Sequence, residues 1–281
     1  MADETTVAPV ALTRSKAISP PSLGMVVLYA IAVTVLVFLI LPTFIVIPMS
    51  FNGERYLAFP PESWSLKWYA AYFTDPTWMA ATWFSIKVAG VTMVLATLIG
   101  TLASVALVRG KIGALGWLNT LSLAPLIVPH IVVAVALYLV FARLGLTGTL
   151  LGFVLAHTTL AIPYVVLTVS ASLYRVDPTL EMAALNLGAS HTTAFLRVTL
   201  PLILPGVAAG AAFAFIVSLD EAVVSLFLSS VSGTTLPRKL FEDIEYGLSP
   251  VVAAASTLLI VFSLLVIGGI ELARRATGRS A

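Results

Sequence analysis

Long apolar runs alternate with short polar links along this chain of 281 residues. The first run covers 25–49 and carries no charge. Others cover roughly 84–108, 120–141, 150–174, 202–226 and 251–272. Each is about as long as the 20 or so apolar residues a helix needs to cross a bilayer. The pattern predicts an all-α, polytopic membrane protein with six transmembrane helices. The first run is too long for a signal-peptide core and is followed by no small-residue cleavage site, so it is expected to be retained as a span. Residues 1–24 are polar, with Arg14 and Lys16, and read as a cytoplasmic N-terminal tail. Residues 25–273 read as the membrane domain and 274–281 as a second cytoplasmic tail.

Composition agrees with lipid as the solvent. Hydrophobic residues make up 59% of the chain and charged residues only 10%, with a mean hydropathy of +1.05. Soluble domains carry about 25% charged residues. There is no cysteine, which excludes disulfides, thiolate metal sites and cysteine nucleophiles. His130, His157 and His191 are far apart and lack helical i,i+4 pairing, so no metal site is expected. A net charge of +2 without a basic run gives nucleic acid nothing to bind.

The cations report topology instead. Arg14, Lys16, Arg109, Lys111, Arg175, Arg197, Arg274, Arg275 and Arg279 fall on one side; Arg55, Lys67, Lys87, Arg143, Arg238 and Lys239 fall on the other. By the positive-inside rule the first group is cytoplasmic, and so are both termini. The links at 50–83 and 227–249 then face outward. Trp64, Trp68, Tyr69, Tyr72, Trp78 and Trp83 crowd the first of these, as expected near headgroups.

On this topology the link at 177–201 faces the cytoplasm. Asp177 suits a helix N-cap and Pro178 the first helical position. Glu181 falls in the first turn, where the helix dipole favours an anion. Leu180, Ala183, Ala184 and Leu187 share a face at helical spacing. Gly188 suits the left-handed residue that ends a helix. Ser190 then caps a second short helix, which Pro201 is expected to terminate. The outcome is a helix–turn–helix on the cytoplasmic surface. A plain amphipathic connector fits the same pattern.

The segment Met182-Ala183-Ala184, then Gly188, Val198, Leu200 and Pro201, resembles the EAA loop of ABC-importer permeases. That pattern reads E-A-A, three residues, G, nine residues, I, any residue, L-P. Val198 replaces the isoleucine, and Met182 stands where the glutamate belongs, with Glu181 one residue earlier. Either Glu181 substitutes from an azimuth about 100° away, or docking relies on shape. Ser50-Phe51-Asn52, Phe59-Pro60-Pro61, Pro125-Leu126-Ile127-Val128-Pro129, Ala156-His157-Thr158, Ser218-Leu219-Asp220-Glu221 and Thr235-Leu236-Pro237 resemble the polyamine-type (spermidine/putrescine) subfamily of these permeases. The ordered match covers roughly 50–270. The resemblance implies a permease domain in a bacterial inner membrane. It also implies a second permease subunit, two ATPase subunits that carry ATP and Mg, an external solute-binding protein, and no cofactor in this chain.

Within the spans, Asp220 and Glu221 need explaining. A carboxylate deep in a span costs about 2.5–3.5 kcal/mol on insertion scales. One or both line a path for an amine-bearing solute, or they sit at the interface and pair with Lys87, Arg143 or water. His130 and Tyr164 are further candidates for the path; for His130, as for His157, a hydrogen-bonded packing role is the alternative. Pro125, Pro129, Pro163 and Pro205 are expected at kinks or helix ends. Gly206, Ala208, Ala209, Gly210, Ala211 and Ala212 permit close helix approach, either at a pore between subunits or within one subunit. No G-x4-G-K-[ST] loop occurs, so ATP is not bound that way. No nucleophile–base set points to an enzyme. A stand-alone secondary transporter is the alternative function; it would ordinarily show internal repeats or more spans, and no duplication is evident.

Overall fold

The computed structural model describes residues 22–110, 115–230, 233–247 and 249–278. Almost all of the expected N-terminal tail, together with Lys111 and Arg279, lies outside these. The chain divides into two compact units, Met1–Phe44 and Ile45–Ala281. The described part of the first unit belongs to helix α1 (Leu23–Ser50), whose apolar side chains, such as Phe38 and Leu39, are exposed. It carries no charge in its first or last turn, as suits a lipid-facing span.

The second unit is built on three long helices, α3 (Pro76–Arg109), α6 (Leu150–Leu173) and α9 (Leu200–Asp220). Asp75 starts α3 by accepting the Thr77 N–H at 2.7 Å, with Pro76 in the first turn, and this bonding to Thr77 holds the Asp75 carboxyl below the usual carboxylate range. The three helices share a core of Ala96, Ala161, Val165, Val169, Leu173, Ile203 and Ala214. Helices α3 and α6 run parallel: Phe84 packs on Phe153, Ser104 Oγ reaches Val166 O, and Arg109 reaches Val176. Helix α9 runs antiparallel to α6, since His157 meets Ser218, Tyr164 meets Phe213, and Gly206 lies against Ser172.

That direction assigns a job to the intervening segment. The sequence predicts one span over 120–141, but the structure has α4 (Leu115–Ile127) and α5 (His130–Arg143) bent by 103°. Pro129 causes the break: it disfavours helical backbone at Val128 and offers no N–H to continue α4. Helices of 13 and 14 residues are each about 20 Å long, short of a bilayer core. Two parallel neighbours nevertheless require the chain to return between them, so α4 and α5 together make one broken crossing. With that pair counted once, the candidate spans among the described residues number six.

Three other boundaries differ from expectation. Helix α3 starts at Pro76 rather than near 84, because Asp75 caps it there. The fifth span ends at Asp220 rather than reaching 226, because Glu221 turns extended (φ −69°, ψ 103°) and α10 (Val223–Leu228) starts afresh. The last helix, α12 (Pro250–Gly278), begins beside Trp78 and Tyr72 and continues through Arg274 and Arg275, so the expected tail from 274 is helical as far as Gly278. The expected outer aromatic belt forms a packed cluster with α2 (Lys67–Thr74). Phe51 contacts Trp64 and Tyr69, Tyr72 contacts Trp78, and Ser50 Oγ and Tyr69 Oη are 2.6 Å apart. Helix α11 (Leu236–Gly247) is tied there by a Leu236 N–H bond to Ser85 Oγ, and Lys239 lies over the Trp78 ring.

The small residues of α9 are resolved by geometry. A Cβ on Gly206 would stand 1.9 Å from Ser172 Oγ and 2.6 Å from Ser172 Cβ; one on Gly210 would stand 2.7 Å from Thr168 Oγ1. Gly206 and Gly210 therefore serve packing of α9 on α6 within this chain. Ala208 remains exposed.

Candidate functional site

The 177–201 link folds as two short helices. Asp177 accepts the Thr179 N–H at 2.9 Å and caps α7 (Pro178–Asn186). That bond holds the Asp177 carboxyl below the usual carboxylate range. Gly188 has φ +88°, with its N–H on Leu185 O and the Ala189 N–H on Ala184 O, which together form a Schellman ending. Ser190 then caps α8 (His191–Ala194) through Thr193 N–H. All three signals act as their residue types predict.

Asp177→Ala removes the α7 cap, so the Thr179 amide is expected to exchange hydrogen faster. Because the folded-state pKa of Asp177 is depressed, the cap is complete at neutral pH. Its contribution disappears only as acid takes the pH below the ordinary carboxylate range. Amide exchange followed from pH 7 downward, in wild type and variant, checks both statements.

Pro201 departs from its expected role. Residues Phe195–Thr199 form a π-helical turn that carries α8 without interruption into α9, giving one helical run from His191 to Asp220. Leu200 N–H reaches back five residues to Phe195 O. Pro201 follows this shifted register in the first turn of α9, where its missing donor is tolerated, so it opens the fifth span instead of closing α8.

The faces of α7 are unequal. Leu180, Met182, Ala183 and Leu187 are exposed, Leu187 to 89%. Ala184 and Leu185 are half-buried. Glu181 also turns inward: its Oε1 accepts a short hydrogen bond from Thr199 Oγ1 and stands 3.8 Å from Arg109 Nε. Arg109 Nη2 in turn donates to Val176 O at 2.8 Å. Val198 and Leu200 are half-buried beside fully buried Thr199. Nothing local in the sequence marks Arg109 or Thr199 as partners of Glu181, because the contact depends on helix ends meeting at one pole of the bundle.

At the opposite pole the two adjacent carboxylates part company. Asp220 ends α9 exposed, with no ion-pair partner among the described residues. Glu221 is 6% exposed; its Oε1 accepts the Val224 N–H at 2.9 Å, its carbonyl accepts from Ser225 Oγ, and its Oε2 lies 3.6 Å from His130 Nδ1. Glu221 thus starts α10 and joins it to the break between α4 and α5. Its partner is His130, not Lys87 or Arg143 as one alternative held. His130 keeps 44% of its side chain exposed. His157 is fully enclosed, with Nδ1 2.9 Å from Ser218 Oγ, which is the packing role.

Tyr164 stacks on Phe213 with ring centroids 6.4 Å apart and an interplanar angle of 24°. Phe213 and Asp220 are two helical turns apart on α9, hence on one face and separated by about 10 Å. Phe213 is the residue that sequence reading missed; its seven-residue spacing from Asp220 is the signal that would have found it. The arrangement offers an exposed carboxylate and an aromatic face along one strip. Such a pair suits cations, through charge and through the ring quadrupole.

Comparison with known proteins agrees with this architecture. Residues 96–277 match the family model described as binding-protein-dependent transport system inner membrane component. The spermidine/putrescine transport system permease protein PotC of Haemophilus influenzae is 35% identical over 231 residues, covering 82% of this chain and 89% of that protein. The putrescine transport system permease protein PotI of Escherichia coli K12 is 32% identical, covering 79% and 82%. The molybdenum transport system permease protein ModB of Mycobacterium bovis is 34% identical, covering 73% and 83%. Among solved structures, a bacterial ABC transporter that imports alginate superposes with a TM-score of 0.67 at 12% identity, covering 91% of this chain and 96% of that one. The MetNI methionine ABC transporter superposes with a TM-score of 0.63 at 18% identity, covering 73% and 99%. These last two are likenesses of fold alone. From the family match and the nearly full-length relatives, the chain belongs to the binding-protein-dependent transport system inner membrane components, as a multi-pass permease.

Proposed function

We propose that this chain is one permease subunit of an ATP-driven importer for polyamines or related amine-bearing solutes. It forms half of a pathway shared with a second permease subunit. Both termini and the 177–201 loop lie in the cytoplasm. Two ATPase subunits bind the loop and carry ATP and Mg, and a solute-binding protein delivers cargo to the outer pole. The chain itself has no catalytic site and needs no cofactor. In this cycle the binding protein docks outside, ATP closes the ATPase pair, α7 and α8 pass the movement to α9, and hydrolysis returns the pathway to the inward state.

The comparisons favour polyamines, since the permeases PotC and PotI match 82% and 79% of this chain and the molybdenum permease ModB 73%. The observation that carries the amine reading is the strip formed by Asp220 and the Tyr164–Phe213 pair. An alkylamine is protonated at neutral pH, so this strip attracts it and repels an oxyanion. The docking reading rests on the exposed apolar strip of Leu180, Ala183 and Leu187 that ends at the Gly188 turn, with exposed Met182 about 100° round from Ala183. Val198, Leu200 and Pro201 support it from below by fixing the exit into α9.

Leu187→Asp tests the docking. Leu187 is 89% exposed, so the change leaves the permease fold intact. A charge placed at the centre of a protein interface commonly costs 2 kcal/mol or more, or about 30-fold in affinity. Co-purification of the cognate ATPase is expected to fall by about that factor. A bulky residue at Gly188 (φ +88°) is expected to act in the same direction by straining the turn. Unchanged assembly and transport in both variants would sink the docking claim.

A further inference from the structure

The resemblance that points to ATPase docking has a glutamate in the motif, and the nearest glutamate here, Glu181, faces the wrong way for that contact. We propose that Glu181 is a positioning residue that locks the coupling helix α7 to the ends of α3 and α9, and that its loss uncouples ATP hydrolysis from transport without releasing the ATPase. The proposal rests on the docking role given to the loop.

Two groups converge on the carboxylate, Thr199 Oγ1 and Arg109 Nε. Thr199, only 1% exposed, gives its hydroxyl proton to Glu181 Oε1, so the last residue of the π-helical turn is tied to the first turn of α7. Arg109, the last residue of α3, spends Nη2 on Val176 O and so fixes the strand of chain that leaves α6. Arg109 Nε is buried and makes no hydrogen bond; the nearest anion is Glu181 Oε1 at 3.8 Å. A normal N–H···O bond is about 3.0 Å, so a shift of α7 toward α3 by under about 1 Å would complete it. Asp177, at the N-cap of α7, also faces Arg109 and adds to the field that holds the guanidinium there.

The network therefore spans three separate pieces of the bundle: α3 through Arg109, the exit of α6 through Val176, and the entry of α9 through Thr199. A force applied to the outer face of α7 reaches all three through one carboxylate. Without it, α7 remains attached to the bundle by chain connectivity and by half-buried Ala184 and Leu185, and it moves independently of α9. The π turn adds to this freedom, because its hydrogen bonds reach back five residues and are weaker than those of an α-helix.

The test uses the complete transporter, with both permeases, the ATPase pair and the binding protein, in lipid nanodiscs for hydrolysis and assembly and in proteoliposomes for uptake. Glu181→Ala is expected to co-purify the ATPase within about twofold of wild type, while ATP hydrolysed per solute imported rises at least about tenfold, as loss of a charged hydrogen bond allows. Arg109→Met should raise the same ratio, and the double variant should be no worse than either single one, because both act on one linkage. Glu181→Gln keeps the acceptor for Thr199 and the side-chain shape but loses the charge facing Arg109, so an intermediate ratio is expected even if the alanine variant folds poorly. An unchanged ratio in Glu181→Ala and Glu181→Gln would overturn the proposal. So would loss of the ATPase to the extent seen with Leu187→Asp, which would put Glu181 on the docking surface. If Leu187→Asp itself leaves assembly intact, it is the docking reading that fails, and the Glu181–Arg109 coupling is then judged by its ratio alone.

Discussion

Asp220→Lys is expected to lower ATP-driven polyamine uptake by at least about 100-fold, and Asp220→Asn by about tenfold. A carboxylate and an ammonium about 4 Å apart attract by roughly 4 kcal/mol at an effective dielectric of 20. Asp220 is exposed, so solvent and salt reduce this to about 1.5 kcal/mol. Neutralising the group removes that attraction, which is the tenfold loss; reversing the charge adds a similar repulsion, which brings the total to about 100-fold. Asp220 is the last residue of α9 and has no ion-pair partner among the described residues, so neither change disturbs packing. Uptake should rise in neither variant, and the yield of assembled complex should match wild type. Wild-type uptake by Asp220→Lys would remove Asp220 from the solute path. The same substitution at Glu221 has a different consequence. Glu221 is 6% exposed and accepts the Val224 N–H, so Glu221→Lys removes that acceptor, buries a cation beside His130 and is expected to reduce yield before it reduces specificity.

Gly206→Leu is expected to prevent accumulation of folded protein. The added Cβ alone would stand 1.9 Å from Ser172 Oγ and 2.6 Å from Ser172 Cβ, with Thr168 O at 3.1 Å. The hydroxyl can rotate away, but Ser172 Cβ and the α6 backbone cannot, so α6 and α9 must separate along their shared core. Overpacking of this kind costs about 1–3 kcal/mol and sometimes more, and Leu extends well beyond Cβ. Membrane yield and the Tm of purified protein check the effect. Gly206→Ala should fall between the two, and Ser172→Ala should relieve it in part by removing the closest atom. Gly90 is the control: a Cβ there meets nothing within 4 Å, so Gly90→Ala in α3 should leave the Tm unchanged or raise it.

The spans were readable because lipid imposes a strong rule, namely that every buried peptide group must be bonded within its own helix. Hydropathy therefore located α1, α3, α6, α9 and α12, with the ends of α1 and α6 within two residues, while the start of α3 and the ends of α9 and α12 differ by six to eight. The broken crossing at Pro129 was only half readable. Proline marked the place, but whether a helix bends gently or by 103° depends on what packs around it. The loop at 177–201 was legible at Asp177, Gly188 and Ser190, since caps and left-handed turns are local chemistry between near neighbours. Pro201 departs from its expected role because the π turn Phe195–Thr199 just before it changes the register it has to satisfy. The site was least legible. Glu221 and His130 lie 91 residues apart, and Glu181 and Arg109 lie 72 apart, so no pattern within one element links them. Tyr164 is a candidate from sequence, but its pairing with Phe213 depends on α6 and α9 running antiparallel.

The central claim is that this permease works with an ATPase and a binding protein to import an amine. Its most direct test is uptake by the complete transporter in proteoliposomes, with ATP inside or outside the vesicle and with labelled spermidine, putrescine and molybdate compared as cargo. The account predicts uptake of the polyamines only, dependent on binding protein outside and on hydrolysable ATP on the side of the 177–201 loop. Uptake of molybdate in preference to the amines, or amine uptake driven by a proton gradient without the ATPase, would contradict it.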